Sequence, residues 1–319
     1  MRHGALPVVL AAVLAGVWSC SDDERAGLAR EGLELRSMTV IATLGAGDGP
    51  GEVTVRVPVE GVEVAAGGPS AMAIGPGGEV LVADQLAGRV VRLGSRGPLP
   101  PLPVWGVEDV ALGPDGAIHA WSRALSRVER FDAAGQELGS VEVPRTLRWV
   151  TGLCPWPGGG LGLHTAYQEA VPLDAEDLRE ALAEGVPGPG GERYRTVRRG
   201  GAAYVEVLDP TGAAPRRIEV GVRAGVGSLE LVGATDDGEI VLDVQDVTGS
   251  APVRVERSLR RYGPDGALRG EVRVPRGLYA PAHAVELGPD GTVYALVPTA
   301  EGVEVHAWPR DPRDDGGAP

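Results

Sequence analysis

Five residues at one repeated offset carry the polar chemistry that this chain could bring together. Ser70, Glu108, Thr151, Glu230 and His283 each stand eight positions before a turn glycine, namely Gly78, Gly116, Gly159, Gly238 and Gly291. Two carboxylates and an imidazole from separate units would suit a divalent cation such as calcium, or an acid/base set. Glu108, Glu230 and His283 are therefore the candidate catalytic and metal-binding residues. Polar side chains at a solvated opening also need no function, and a one-residue slip of register aims each of them elsewhere. The other reactive side chains are scattered. Cys154 follows Leu153 in an apolar run and reads as a buried structural thiol, while His119, His164 and His306 stand singly. No His-Glu-x-x-His, Gly-x-Ser-x-Gly, Cys-x-x-Cys or P-loop occurs. The chain has no Lys, which removes Schiff-base and P-loop lysine chemistry, and no Asn.

The elements that must position these residues are strands and tight turns. Gly75-Pro76-Gly77-Gly78, Gly113-Pro114-Asp115-Gly116, Pro157-Gly158-Gly159, Asp236-Asp237-Gly238 and Gly288-Pro289-Asp290-Gly291 each lie between two apolar runs. Pro presets φ, Asp bonds its own backbone, and Gly accepts the positive φ that other residues resist. The runs that follow, Glu79–Ala83, Ala117–Trp121, Leu161–His164, Glu239–Asp243 and Thr292–Leu296, are expected to be strands. The turn glycines lie 38, 43, 79 and 53 residues apart. A period near 40–50 residues favours a β-propeller over a sandwich or an up-and-down barrel. Six blades of four antiparallel strands are expected, with five and seven as alternatives. Residues 37–68 are expected to form the sixth, degenerate blade and to close the ring against the C-terminal strands. Aromatic residues make up only 4% of the chain. Packing between blades must then rest on Val, Leu and Ala, with Trp105, Trp121, Trp149, Trp156 and Trp308 as scattered fillers.

The 79-residue interval holds the one irregularity. Asp174–Glu184 has an N-cap, acidic first-turn residues and a Gly185 stop, which predicts a helix. Residues 166–202 are thus read as an insertion between the second and third strands of one blade. That connection lies on the face of the blade-to-blade loops, where a long insertion points to binding. Arg193, Arg195, Arg198 and Arg199 are its expected contacts to an unidentified protein or small ligand.

At Val82-Ala83-Asp84 and Arg89-Val90-Val91-Arg92-Leu93 the chain resembles NHL-type propellers. Their units read apolar strand, Pro-Asp-Gly, strand ending in Ala-Asp, then Arg-Val. Gly47–Glu52 is similar to a turn common in secreted bacterial six-bladed propellers. The likeness spans about residues 39–308, and its motifs describe turns and packing rather than activity. Some six-bladed propellers are calcium-dependent lactonases and others are lyases. The lactonase resemblance implies Asn ligands, which this chain lacks, with Glu60 or Glu63 as the early carboxylate. Binding or scaffolding is therefore the first expectation, and a metal-dependent lactonase or lyase the alternative.

The N-terminus reads separately. Arg2 and His3 precede an apolar run, Ala5–Val17, that is too short to span a bilayer. Gly16-Val17-Trp18-Ser19-Cys20 resembles a bacterial lipobox, which implies cleavage before Cys20 and its lipidation. Residues 1–19 are then a signal peptide, 20–36 a charged tether, 37–309 the propeller and 310–319 a disordered tail. Ser21 after the cysteine favours the outer membrane, and the lipid anchor would be the sole membrane contact. The formal net charge is −14, which opposes nucleic-acid binding. Nothing calls for a second copy, so a monomer is expected.

Overall fold

The computed structural model describes residues 37–310 apart from 148, 223–224 and 249–251. It contains six four-stranded antiparallel sheets and no α-helix among the described residues. The first five blades each use four consecutive strands, innermost first. Before them comes β1 (Thr39–Gly45). Blade 1 holds β2 (Ala71–Ile74), β3 (Val80–Asp84), β4 (Arg89–Gly94) and β5 (Gly97–Pro103). Blade 2 holds β6 (Val107–Leu112), β7 (Ile118–Ser122), β8 (Arg127–Phe131) and β9 (Glu137–Glu142). Blade 3 holds β10 (Val150–Trp156), β11 (Gly160–Thr165), β12 (Glu169–Pro172) and β13 (Ala183–Glu184). Blade 4 holds β14 (Val186–Pro187), β15 (Arg193–Arg199), β16 (Ala202–Leu208) and β17 (Arg216–Glu219). Blade 5 holds β18 (Val226–Ala234), β19 (Ile240–Thr248), β20 (Arg254–Tyr262) and β21 (Leu268–Arg273). Blade 6 is β22 (Val285–Leu287), β23 (Val293–Thr299) and β24 (Gly302–Trp308), completed by β1 from the other end of the chain. The fold is a six-bladed β-propeller.

Ring closure follows the expectation, but residues 37–68 do not make a blade. They contribute β1 and a long strap pinned by Arg56–Gly67 backbone bonds. The remaining blade is instead blade 4, whose first two strands lie inside 166–202 and whose last two run on from its end, so the insertion and its helix are both corrected. Gly188-Pro189-Gly190-Gly191-Glu192 repeats Gly75-Pro76-Gly77-Gly78-Glu79 residue for residue. It also repeats its hydrogen bonds. Gly188 N donates to Glu192 O at 2.8 Å, as Gly75 N does to Glu79 O at 2.8 Å. The expected helix is a run of turns in which only Ala181 N reaches back four residues, to Asp177 O. An 11-residue helix would carry the chain about 15 Å along its axis. Instead the chain must return to the edge of β12 to lay down β13, and Leu173 and Leu178 turn into the blade core on the way.

Strand alternation sets two faces. The glycine turns between first and second strands, and those between third and fourth, lie on one face, the turn face. Second-to-third loops and blade-to-blade connections lie on the other, the loop face. Between blades the core is aliphatic: Ala73, Leu81, Val90, Leu102, Val107, Val110 and Ile118 fill the gap between blades 1 and 2, with Phe131. Small alanines on inner strands let the sheets converge toward the axis. The tryptophans divide. Trp121 and Trp308 are buried, whereas Trp105 and Trp149 are 71% and 58% exposed. No helix among the described residues is long and apolar enough to cross a membrane. Cys20 and the lipobox lie outside the described residues.

Candidate functional site

The hub brings part of the expected column together. His283 N donates to Ser70 O at 2.9 Å, joining the inner edges of blades 6 and 1. Its ring crosses to the opposite blade, where Nε2 donates to Thr151 O at 2.7 Å. A carbonyl can only accept, so Nε2 carries the proton. Thr151 Oγ1 lies 3.0 Å from His164 Nδ1, and the two imidazoles meet edge to face at 5.4 Å. Burial, then the neighbouring His283, pushes the His164 pKa down to about 3, so this ring is neutral. Gly152 makes the crossing feasible. A Cβ there would overlap Asp109 Oδ2 and stand 2.8 Å from His283 Nε2.

Glu230 pairs in register with Asp243, which Arg257 grips through two nitrogens. Burial, then Asp243, raises the Glu230 pKa, while Arg257 and His283 oppose the rise. Glu108 goes elsewhere: its Oε2 accepts from Arg123 Nε at 2.7 Å in a half-exposed pair. A β-bulge lies between Val107 and Asp109, as one does between Val150 and Gly152 around Thr151. Asp109 takes the interior position, accepting from Val110 N at 2.9 Å and Leu153 N at 2.7 Å. It clamps blade 2 to blade 3. Among the described residues no three His, Cys, Asp or Glu side chains are placed to hold a metal ion. Glu108, Glu230 and His283 are therefore not gathered as one set of side-chain ligands.

Sequence reasoning missed Glu286, a second carboxyl beside Asp109 whose pKa is raised. It sits on β22, and burial, then the charge of Asp109, pushes its pKa up to about 8. In the folded state it holds a proton that the unfolded chain releases near 4.5. Stability should therefore fall as pH rises between about 4.5 and 8, at up to about 1.4 kcal/mol per unit before channel water softens it. Glu286→Gln is expected to flatten that slope and to gain about 2 kcal/mol above pH 8, read by urea melts across the window. A variant with the wild-type slope would refute the assignment.

The four arginines of the expected binding set do not share a face. Arg193, at the turn-face end of β15, donates to Ala183 O and Gly185 O and lies 5.3 Å from the Trp156 ring centre. Arg195 pairs with Glu184 and Glu206, and Arg198 donates to Gly227 O. Arg199 is exposed at the loop-face end. Cys154 is buried, and burial pushes its thiol up to about 12, which leaves it unreactive.

The loop face carries the apolar surface that the hub lacks. Of the fifteen large hydrophobic residues exposed among the described residues, eleven belong to it. Val57, Val59, Val62 and Val64 lie on the strap, Leu86, Leu125, Tyr167 and Val253 in second-to-third loops, Trp105 and Trp149 between blades, and Val255 at a strand end. The other four sit on the outermost strands β1, β5 and β9. A cleft of about 400 Å³ opens here between blades 2 and 3, and Trp121, Arg123, Arg145, Leu147 and Trp149 are among its lining. Trp149 has φ +63°, a left-handed conformation that bulky residues resist, and Ala166 N holds it through Trp149 O at 2.9 Å.

No protein-family model matches the chain, and no curated protein is similar to it. Solved structures resemble it at low identity. Virginiamycin B lyase from Staphylococcus aureus is 12% identical with a TM-score of 0.46, over 75% of this chain and 94% of that one. A DUF4221 family member from Bacteroides vulgatus is 10% identical with a TM-score of 0.47, over 85% and 97%. A gluconolactonase from Xanthomonas campestris is 15% identical with a TM-score of 0.32, over 85% and 88%. No functional residue is carried over from any of them.

Proposed function

We propose that this protein is a lipid-anchored binding or scaffold module of the cell envelope whose working surface is the loop face. The observation that carries the reading is the segregation of exposed apolar side chains: eleven of fifteen on one face, against turns of Gly, Pro and Asp on the other. Contiguous exposed apolar surface on a folded domain marks an interaction site. Lipidation of Cys20 would tether the propeller through residues 20–36, leaving that face free to meet a partner.

The test replaces Trp105, Trp149 and Tyr167 together by Ser and, separately, the turn-face residues Asp115, Asp265 and Asp290 by Ser. Cross-linked capture from the producing cell's envelope should drop at least tenfold for the loop-face variant and hold for the turn-face variant. Equal capture by both, with folding intact, overturns the reading.

A second reading places acid/base chemistry at the hub. It is favoured by Glu286, which keeps a proton at neutral pH, and by the His283 ring spanning the channel. A proton donor and an imidazole are what a lyase or lactonase step without a bound metal would need.

A further inference from the structure

We propose that the cleft between blades 2 and 3 is a binding site for a small aromatic carboxylate. The inference rests on the loop face being the working surface and names the chemistry that one part of it selects.

The cleft is one-sided in charge. Its lining is Trp121, Arg123, Ser126, Val143, Pro144, Arg145, Leu147, Trp149 and Val150, with two guanidinium groups and no carboxylate. The chain as a whole carries 44 acidic against 30 basic residues, so a lining of this sign runs against its composition. Arg123 is partly spent. Its Nε is paired with Glu108 and its Nη2 donates to Val150 O at 3.2 Å, while the residue lines the cleft. Arg145 is exposed and makes no ion pair with the described residues, so it supplies the uncompensated charge.

The buried end of the cleft is closed by Trp121, which is 3% exposed. The two guanidinium groups therefore ask for acceptor oxygens. The remaining wall is apolar: Val143, Leu147 and Val150 below and the exposed indole of Trp149 at the rim. Trp149 has a left-handed backbone and presents an exposed indole at the cleft, a surface on which a flat ring can stack. A flat ring under Trp149 with an anionic oxygen pair on Arg145 satisfies both halves, and a volume near 400 Å³ admits a molecule of that size.

Calorimetric titration tests this on the protein as the cell makes it, with 3-phenylpropionate as the probe and 3-phenylpropanamide as its neutral twin. The carboxylate should saturate and the amide should bind at least tenfold more weakly. Arg145→Ala should weaken the carboxylate about tenfold, and Trp149→Gly should do so for both compounds, while Arg269→Ala on the turn face changes nothing. Equal binding of acid and amide, no saturable heat from either, or an Arg145→Ala variant that binds as wild type overturns the proposal. The loop-face reading fails separately. If envelope capture survives while the carboxylate does not bind, only the ligand class is wrong, and if capture also ignores the loop-face substitutions, both fall.

Discussion

Gly302→Ala should open the ring, lowering stability by about 3 kcal/mol or more. Gly302 is the first residue of β24 and pairs with Gly45 on β1, the last rung of the contact that closes the propeller. Its φ is +145°, and a Cβ there would overlap Leu44 O and stand 2.9 Å from Gly45 C and 3.0 Å from Ala46 N. All three neighbours are backbone, so no side chain can swing aside. Relief requires β1 to move away, which strains the Ala46 N to Glu301 O bond of 2.6 Å and the register from Thr39↔Ala307 onward. Gly45→Ala is the control across the same rung. Nothing lies within 4 Å of its Cβ, and its φ is not left-handed, so it should cost less than about 1 kcal/mol. Urea melts measure the difference, and proteolysis of residues 46–68 reports the released strap. Equal midpoints for the two alanine variants would refute ring closure at this rung.

The blade count was legible in the sequence because each turn needs Gly at a positive φ, and that demand is local. Gly78, Gly116, Gly238 and Gly291 sit at φ values between 76° and 82°. The same signal was present at Gly191, φ +87°, inside a motif identical to Gly75–Glu79. It went unread because β14 is only two residues long, so no apolar strand stands before the turn. The acidic cap and Gly stop around 174–185 then suggested a helix. A cap is worth about 1 kcal/mol, and an isolated 11-residue helix is marginal. Pairing β13 on β12 and burying Leu173 and Leu178 outweighs it.

The site was legible only in part, for reasons of the same kind. Counting back from the turn glycine located Ser70, Thr151 and His283 at the hub, where the backbone carbonyls of Ser70 and Thr151 meet His283. It failed for the side chain of Glu108, because the offset from a glycine fixes a residue's place on the strand and not the direction of its side chain. Glu108 and Thr151 both stand at bulges and still point to different partners. Asp109, adjacent in sequence, inherited the interior position. Trp105 and Trp149 read as core fillers because tryptophan is mostly buried. Both stand within two residues of the start of an inner strand, at Val107 and Val150, and that position belongs to the loop face. The register ruler could have placed them, had it been applied to connections as well as strands.

The turn face is held by a different device, and Arg261→Ala should show how much rests on it. Arg261 is 1% exposed; its Nη1 donates to Glu239 Oε1 at 2.8 Å and its Nη2 to Gly291 O at 2.7 Å and Trp308 O at 3.1 Å. The guanidinium lies over the Trp308 ring at 4.5 Å. One side chain on β20 thus fastens blade 5 to the turn and the final strand of blade 6. Truncation leaves Glu239, itself 3% exposed, without its closest cation among the described residues, the more distant Arg310 lying at 4.0 Å, and takes one donor from two carbonyls. Removing one partner of a buried pair costs about 3–5 kcal/mol, chiefly through the charge left behind. That origin gives the prediction its discriminating arm. Arg261→Met with Glu239→Gln removes both charges and keeps the volume, so the double variant should recover about half the loss or more in urea melts. Recovery of nothing would mean that the carbonyl bonds and the ring contact hold the seam, not the ion pair, and a loss under about 1 kcal/mol for Arg261→Ala would refute the seam altogether. Phenylpropionate binding at the loop-face cleft of blades 2 and 3 should be unchanged in the double variant. The seam joins blades 5 and 6 at the opposite end of the strands, and the cleft draws its shape from Val143, Leu147 and Val150.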